Sequence, residues 1–201
     1  MKRKIYNELL EWKNRKNNRK PLMVLGVRQC GKTYVIKEFC NKEFEHFCYI
    51  NLLDDTNIVE IFSRTISTDE KYNLLKTMLE YDIEDKNNVL FIDEIQESGE
   101  LISSLKYFCE EHNNVNIVCA GSLLGLKIKR SKNSFPVGKV WMLDMYPMSF
   151  EEFLIANNKE KYVDLLKTYY EKNKSLGSPM HEELLKYYRA YLLTGGMPEA
   201  I

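Results

Sequence analysis

The period of the apolar positions changes repeatedly along the chain, and each change marks an element. Ile5, Leu9 and Trp12 share one helical face, and the polar stretch Lys13 to Lys20 then leads into Pro21, so a short helix and a basic loop come first. Leu22 to Leu25 is an unbroken apolar run that stops at Gly26, which reads as a strand. Val35, Ile36, Phe39 and Cys40 return to helical spacing. Phe47 to Leu52 and Val89 to Ile92 are the expected second and third strands, with a helical stripe of Tyr72, Leu75, Met78 and Leu79 between them. Leu101, Ile102, Leu105, Phe108 and Cys109 predict a further helix, Val115 to Ala120 a fourth strand ending at Gly121, and Val140 to Met145 a fifth that stops at Pro147.

Short, nearly continuous apolar strands that alternate with helices have no solvent side, which is the mark of a parallel sheet covered on both faces. The expected fold is therefore an α/β core, doubly wound on a mainly parallel five-stranded sheet. Beyond Ser149 the pattern is helical only: Phe150, Phe153 and Leu154, then Tyr162 to Tyr170, then Leu184, Leu185, Tyr188, Tyr191 and Leu192 after the Gly177-Ser178-Pro179 break. This divides the chain into a core over residues 1–148 and a helical segment over 149–201.

Composition narrows the picture by exclusion. At 201 residues the chain can bury one α/β core with a small appendage. Its 29 basic and 29 acidic side chains cancel, so any nucleic-acid footprint must be local. Cys30, Cys40, Cys48, Cys109 and Cys119 show no C-x-x-C spacing and read as reduced thiols, while His46, His112 and His181 lie far apart, which argues against a zinc site. No apolar leader follows Met1, and nowhere do 18 apolar residues run together, so a cytoplasmic, non-membrane protein is expected. The basic run Lys13, Arg15, Lys16, Arg19 and Lys20, and a second of Lys127, Lys129, Arg130 and Lys132, lack interleaved stacking aromatics. A solvated face is favoured there over a nucleic-acid or partner surface.

The candidate chemistry begins at Gly26-Val27-Arg28-Gln29-Cys30-Gly31-Lys32-Thr33-Tyr34, which fits G-x-x-x-x-G-K-[ST] between a strand and a helix. Each part of that pattern has a physical task. The glycines let the backbone curl so that successive NH groups face phosphate oxygens, and the helix N-terminus adds partial positive charge. Lys32 can reach the β and γ phosphates, and the Thr33 hydroxyl can ligate magnesium. The apolar run Val89 to Ile92 then ends in Asp93-Glu94, which puts two carboxylates at the carboxyl edge of the sheet, where ligands bind. Asp93 is the candidate magnesium-side acid, and Glu94 the group that orients or deprotonates an attacking water. Ser122, at the end of the fourth strand, has two readings: a contact to the γ-phosphate or the water, or a cap on the next helix. Cys30 has two as well, an acidic thiol shielded by bound nucleotide or an indifferent loop position.

The sequence resembles AAA-type ATPases of bacteria and archaea whose P-loop core precedes a C-terminal domain of uncharacterised function. The matching residues are the Gly26 to Thr33 loop, Leu90-Phe-Ile-Asp93-Glu94-Ile95-Gln96, Ala120-Gly121-Ser122-Leu-Leu, Tyr146-Pro-Met-Ser-Phe-Glu-Glu-Phe-Leu154 and Gly195-Gly-Met-Pro-Glu199. The resemblance implies an AAA-like P-loop NTPase core with a strand added between the loop strand and the Asp-Glu strand, then a helical lid, with ATP and Mg²⁺ as ligands. Where many relatives carry Gly-Arg before the fifth strand, this chain has Gly138-Lys139, and lysine lacks the guanidinium fork. The chain stops at Ile201, where family members continue into a second domain, so it is expected to be a piece of a longer protein. The leading expectation is hydrolysis of ATP to ADP and phosphate. The alternative is a switch that holds ATP or ADP tightly and hydrolyses slowly, signalling through domain contacts. A protein partner or a homo-oligomer is the candidate assembly.

Overall fold

A computed structural model of the chain describes residues 3–15, 19–79, 81–122 and 135–200. Helix α1 (Ile5–Lys13) leads into strand β1 (Leu22–Gly26), followed by α2 (Lys32–Glu43) and β2 (His46–Asn51). Two helices, α3 (Thr56–Ser63) and α4 (Thr68–Leu79), precede β3 (Asn88–Asp93). A single 3-10 turn, Ile95–Glu97, opens directly into α5 (Gly99–Glu110), then β4 (Ile117–Ser122) and β5 (Trp141–Met145). Three further helices follow: α6 (Phe150–Ala156), α7 (Glu160–Glu171) and α8 (Ser178–Thr194).

The five strands form one sheet in the order β2-β3-β4-β1-β5, and every pairing is parallel. In β1, β3 and β4 each residue is buried, because helices cover both faces. Alternate side chains divide between two cores. Met23, Leu25, Leu90, Ile92, Ile117 and Cys119 pack towards α3, α4 and α5. Leu22, Val24, Val89, Phe91, Val118 and Ala120 pack towards α1 and α2, around Trp12 and Phe39. The edge strands β2 and β5 are partly exposed, as expected where one flank has no neighbour.

Strand β4 lies between β1 and β3, so the Asp93 strand is separated from the loop strand by one intervening strand, as the family resemblance implied. Register brings the important ends level. Gly26 pairs with Ser122 on one side and Met145 on the other, and Asn51 pairs with Asp93.

Four expectations shift. Strand β4 starts at Ile117 because Asn116 turns its amide onto the carbonyls of Lys86 and Asn88, at 2.9 and 2.7 Å. Strand β2 runs one residue earlier than its apolar stretch suggested. Helix α3 was not foreseen: Ile58, Ile61 and Phe62 bury one face of an eight-residue helix whose β-branched content looks strand-like. In α8 the expected apolar stripe is only partly used, for Leu184 is buried while Leu192 is 60 % exposed. Tyr188 and Tyr191 pack on Phe150, and Tyr187 on Tyr162, so these rings serve helix packing.

Candidate functional site

The loop after β1 is shaped by what cannot fit. A Cβ on Gly26 would lie 2.3 Å from the Met145 carbonyl oxygen, so the strand end tolerates no side chain. Gln29 (φ 62°) and Gly31 (φ 91°) both turn left-handed, which curls the loop before α2 begins at Lys32. Between them the Cys30 side chain drops into the core and is fully buried, with Sγ 3.7 Å from the Met145 oxygen. The reading of Cys30 as an accessible, nucleotide-shielded thiol is corrected by that burial. Gly31 N-caps α2 without a side-chain bond, so the first NH groups of the helix face the cleft in front of the loop.

Lys32 extends along the loop, and its ammonium donates to the carbonyls of Gly26 (3.1 Å) and Val27 (2.7 Å). Thr33, one position on, donates its hydroxyl to Asp93 Oδ2 at 2.7 Å, joining α2 to the end of β3. Asp93 is 5 % exposed and also accepts from the Tyr49 hydroxyl (3.3 Å) and the Glu94 amide (3.0 Å). Burial first, and then the Asp93 carboxylate, push the Tyr49 hydroxyl up to about 12, so it stays a donor at neutral pH.

Glu94 has left-handed backbone (φ 54°, ψ 41°), uncommon for a residue with an extended side chain. Its carboxylate accepts from the Gln96 amide, and Gln96 Oε1 in turn accepts from the Ser122 NH at 3.1 Å. Gln96 thus ties the end of β3 to the end of β4. A Cβ on Gly121 would come within 3.0 Å of that oxygen and 2.9 Å of Ile95 Cγ2, so the glycine before Ser122 makes room for the bridge. Sequence reasoning quoted Gln96 but gave it no role. The signal was the Gly121-Ser122 pair, legible only once β3 and β4 are known to be neighbours.

These groups face one cleft of about 810 Å³, in the range of small-molecule sites. Of the predicted residues, Arg28, Gln29, Gly31, Lys32, Thr33, Tyr34, Glu94 and Ser122 line it. Gly26, Cys30 and Asp93 are buried and do not line it, Asp93 being joined to it through Thr33, and Val27 is exposed outside it. Sequence reasoning missed Arg3, Val35, Leu53, Glu97, Pro198 and Glu199 on the same wall. Pro198 would touch a Cβ on Gly31 at 3.3 Å, so the Gly195-Gly-Met-Pro-Glu turn folds back against the loop. It is held there by Met148, whose NH donates to the Gly196 carbonyl at 2.8 Å and whose own carbonyl would be 2.4 Å from a Cβ on Gly196.

Arg3 is another of the unforeseen members. Its buried guanidinium donates to Glu152 Oε1 (3.1 Å), the Cys30 carbonyl (2.8 Å) and the Tyr146 carbonyl (2.7 Å). Burial alone would raise the Glu152 carboxyl, but the amides of Lys4 and Ser149 and the Arg3 guanidinium together hold it below the usual carboxylate range.

Other candidates are not brought here. Lys139 precedes β5 at the amino edge of the sheet, opposite the cleft, and pairs with Glu110 at 2.8 Å. Lys13 pairs with Glu43, and Arg15 stacks on Trp141. Lys16 and the run Lys127 to Arg130 and Lys132 lie outside the described residues. Among the described residues no three His, Cys, Asp or Glu side chains cluster as a metal cage, and no helix is long and apolar enough to cross a membrane.

A parallel sheet with a strand inserted between the loop strand and the acid strand, and a glycine loop running into a helix N-terminus, defines a P-loop nucleotide-binding fold. A family model described as an AAA domain matches residues 18–154, and the chain belongs to that family of P-loop ATPases. The chain is also 33 % identical over 204 positions to an uncharacterized protein, MJ1544, of Methanocaldococcus jannaschii, a match covering 98 % of this chain and 40 % of that protein. Among solved structures, the Walker-type ATPase PABY2304 of Pyrococcus abyssi shares the fold, with a TM-score of 0.55 and 18 % identity over 98 % of this chain and 64 % of that one. The chain therefore spans less than half the length of its curated relative.

Proposed function

We propose that this chain binds ATP with magnesium and hydrolyses it to ADP and phosphate. The observation that carries the reading is the bond between the Thr33 hydroxyl and the Asp93 carboxylate, 60 residues apart in sequence and 2.7 Å apart in space. Magnesium bound with nucleotide takes only one or two protein oxygens and completes its shell with phosphate and water. A hydroxyl and a buried carboxylate side by side, with Tyr49 fixing the second, fit that need.

Lys32 shares the cleft and can exchange its two loop carbonyls for the β and γ phosphates, a stronger pairing because both partners are charged. Exposed NH groups of the loop and of the first turn of α2 take the remaining phosphate oxygens. Glu94 stands across the cleft as acceptor for the proton of the attacking water, its carboxylate aimed by Gln96. Ser122, at the end of β4, is level with the loop and lines the same space, which supports a contact to the γ-phosphate or the water. The core over residues 1–148 carries the chemistry, and residues 149–201 form a lid. Magnesium, when bound, supplies charge neutralisation on the phosphates.

The test is calorimetry of ATP binding with and without magnesium, followed by single-turnover hydrolysis. Magnesium-dependent binding with turnover above background is expected. Tight binding without turnover would instead favour a nucleotide-held switch, and no binding would remove the reading altogether.

A further inference from the structure

Arg3 joins three parts of the chain: the loop, the residue just past β5, and α6. Its side chain is 3 % exposed. Nη1 donates to the carbonyl of Cys30, inside the loop that carries Lys32; Nη2 donates to Tyr146, just past β5; and Nε pairs with Glu152 in the first turn of α6. Arg3 also lines the cleft, with Nη1 3.6 Å from the position a Cβ on Gly31 would take. Among the described residues, α6 itself contributes nothing to the cleft wall.

The carboxylate that holds Arg3 is itself heavily committed. Glu152 accepts the Lys4 amide at 2.7 Å through the oxygen that meets Arg3, and the Ser149 amide at 2.8 Å through the other, closing a capping box at the start of α6. Lys4 adds an ion pair to Glu151. Lys4 is thus fastened to α6 independently of the Arg3 side chain, whereas Arg3 carries that fastening on to the loop. A guanidinium suits the task, for its planar fork meets three acceptors at once, which a lysine ammonium on a flexible stem does not.

We propose that Arg3 is a positioning residue that couples the phosphate loop to the helical segment, so that nucleotide in the cleft steadies α6 through the Cys30 carbonyl, Arg3 and Glu152. The proposal rests on the nucleotide-binding reading. Phosphate settling on the loop NH groups fixes the peptide planes that carry their neighbouring carbonyls, and the Cys30 carbonyl is the one Arg3 holds. An ordered loop therefore presents Arg3 with a fixed acceptor, and the guanidinium so held presents Glu152 with a fixed donor.

Hydrogen exchange of the full chain, with and without ATP and magnesium, tests this. In the unaltered protein the nucleotide should slow exchange over residues 27–36 and also over 150–156. With nucleotide raised to saturate the variant, Arg3→Met should lose the nucleotide-dependent protection over 150–156 while 27–36 is still protected. Should Arg3→Met fail to fold, Glu152→Gln serves instead: it retains a capping-box side chain but removes the charge that holds Arg3, and the same loss over 150–156 is expected. Nucleotide-dependent protection of 150–156 that persists in whichever variant folds would overturn the coupling, as would its absence in the unaltered protein beside a protected loop. No protection over 27–36 in the unaltered protein would overturn the nucleotide reading itself, and the coupling with it.

Discussion

Asn158 and Asn173 in the helical segment and Gln29 and Glu94 beside the cleft all have left-handed backbone, but for opposite reasons. The two asparagines stand one residue past the C-caps of α6 and α7. There the NH of Asn158 meets the Ile155 carbonyl and that of Lys159 the Leu154 carbonyl, and Asn173 and Lys174 repeat the pattern on Tyr170 and Tyr169. These are Schellman ends, which need one left-handed residue, and asparagine is among the residues that accept it most readily. The residue type there follows from the conformation. At Gln29 and Glu94 it does not, since neither glutamine nor glutamate is favoured left-handed. The fold holds them so because Gly26 and Cys30 are packed against Met145, and because Asp93 and Ile95 on either side of Glu94 are buried. Local strain at the cleft is borne by a sheet whose three central strands are wholly buried, whereas the described residues of the helical segment bury few apolar side chains, among them Phe153, Leu154, Val163 and Leu184.

The sharpest way to break this contrast is at Glu94. Glu94→Gln keeps the size and the backbone demand of the residue but removes the base, so hydrolysis should fall by about 10² to 10⁴ while ATP affinity is kept or rises slightly. Single-turnover rates beside dissociation constants measure both. A variant that hydrolyses as fast as the original would make Glu94 a strained strand-end acid with no part in the reaction. Lys32→Ala comes next. It removes a charge-assisted contact worth about 1.5–3 kcal/mol per bond, so affinity should drop by roughly 10² or more by calorimetry. Unchanged affinity would leave the loop without its assigned ligand.

What the sequence made legible at this site, and what it did not, follows from distance along the chain. The loop is local: its glycines, Lys32 and Thr33 lie within eight residues, and their spacing is itself the constraint. The β3 end was legible too, because an apolar run that stops at two acids needs no partner to be recognised. Gln96 was hidden, since its bond to the Ser122 NH exists only because β4 was inserted beside β3. Arg3 was further out of reach, for its carboxylate partner lies 149 residues away and nothing in a Met-Lys-Arg-Lys start distinguishes it from a solvated basic end. Cys30 had two readings, an acidic thiol beside Lys32 that nucleotide would shield or an indifferent loop position, and its burial between two left-handed residues removes the first. Helix α3 was lost because its eight residues are too few to establish a period.

The helical side of the comparison predicts smaller effects on stability. Asn158→Ala and Asn173→Ala should each cost about 1 kcal/mol in denaturant unfolding, because alanine resists the left-handed region. Neither should alter nucleotide affinity, as both residues are exposed and neither lines the cleft. If either substitution weakened ATP binding as strongly as Lys32→Ala, the two regions would not be separable in the way their geometry indicates.

The smallest effect, and the finest test of the comparison, is the pair Gln29→Gly and Asn173→Gly. Glycine removes the left-handed penalty at either position but adds chain entropy to the unfolded state, about 0.5–1 kcal/mol against folding. At Asn173 (φ 50°) there is little penalty to remove, so the substitution should leave stability unchanged or lower it by a few tenths of a kcal/mol. At Gln29 (φ 62°) the penalty is roughly 1–2 kcal/mol, so relief should exceed the entropy and stabilise the protein by up to about 1 kcal/mol. Gln29 is exposed on the cleft wall, so little packing is lost when its side chain is removed. Denaturant unfolding of both variants, run together, reads the difference. Destabilisation at Gln29 equal to or greater than that at Asn173 would show that its side chain, rather than backbone strain, decides the energetics there, and the account of strain stored at the cleft would then rest on Glu94 alone.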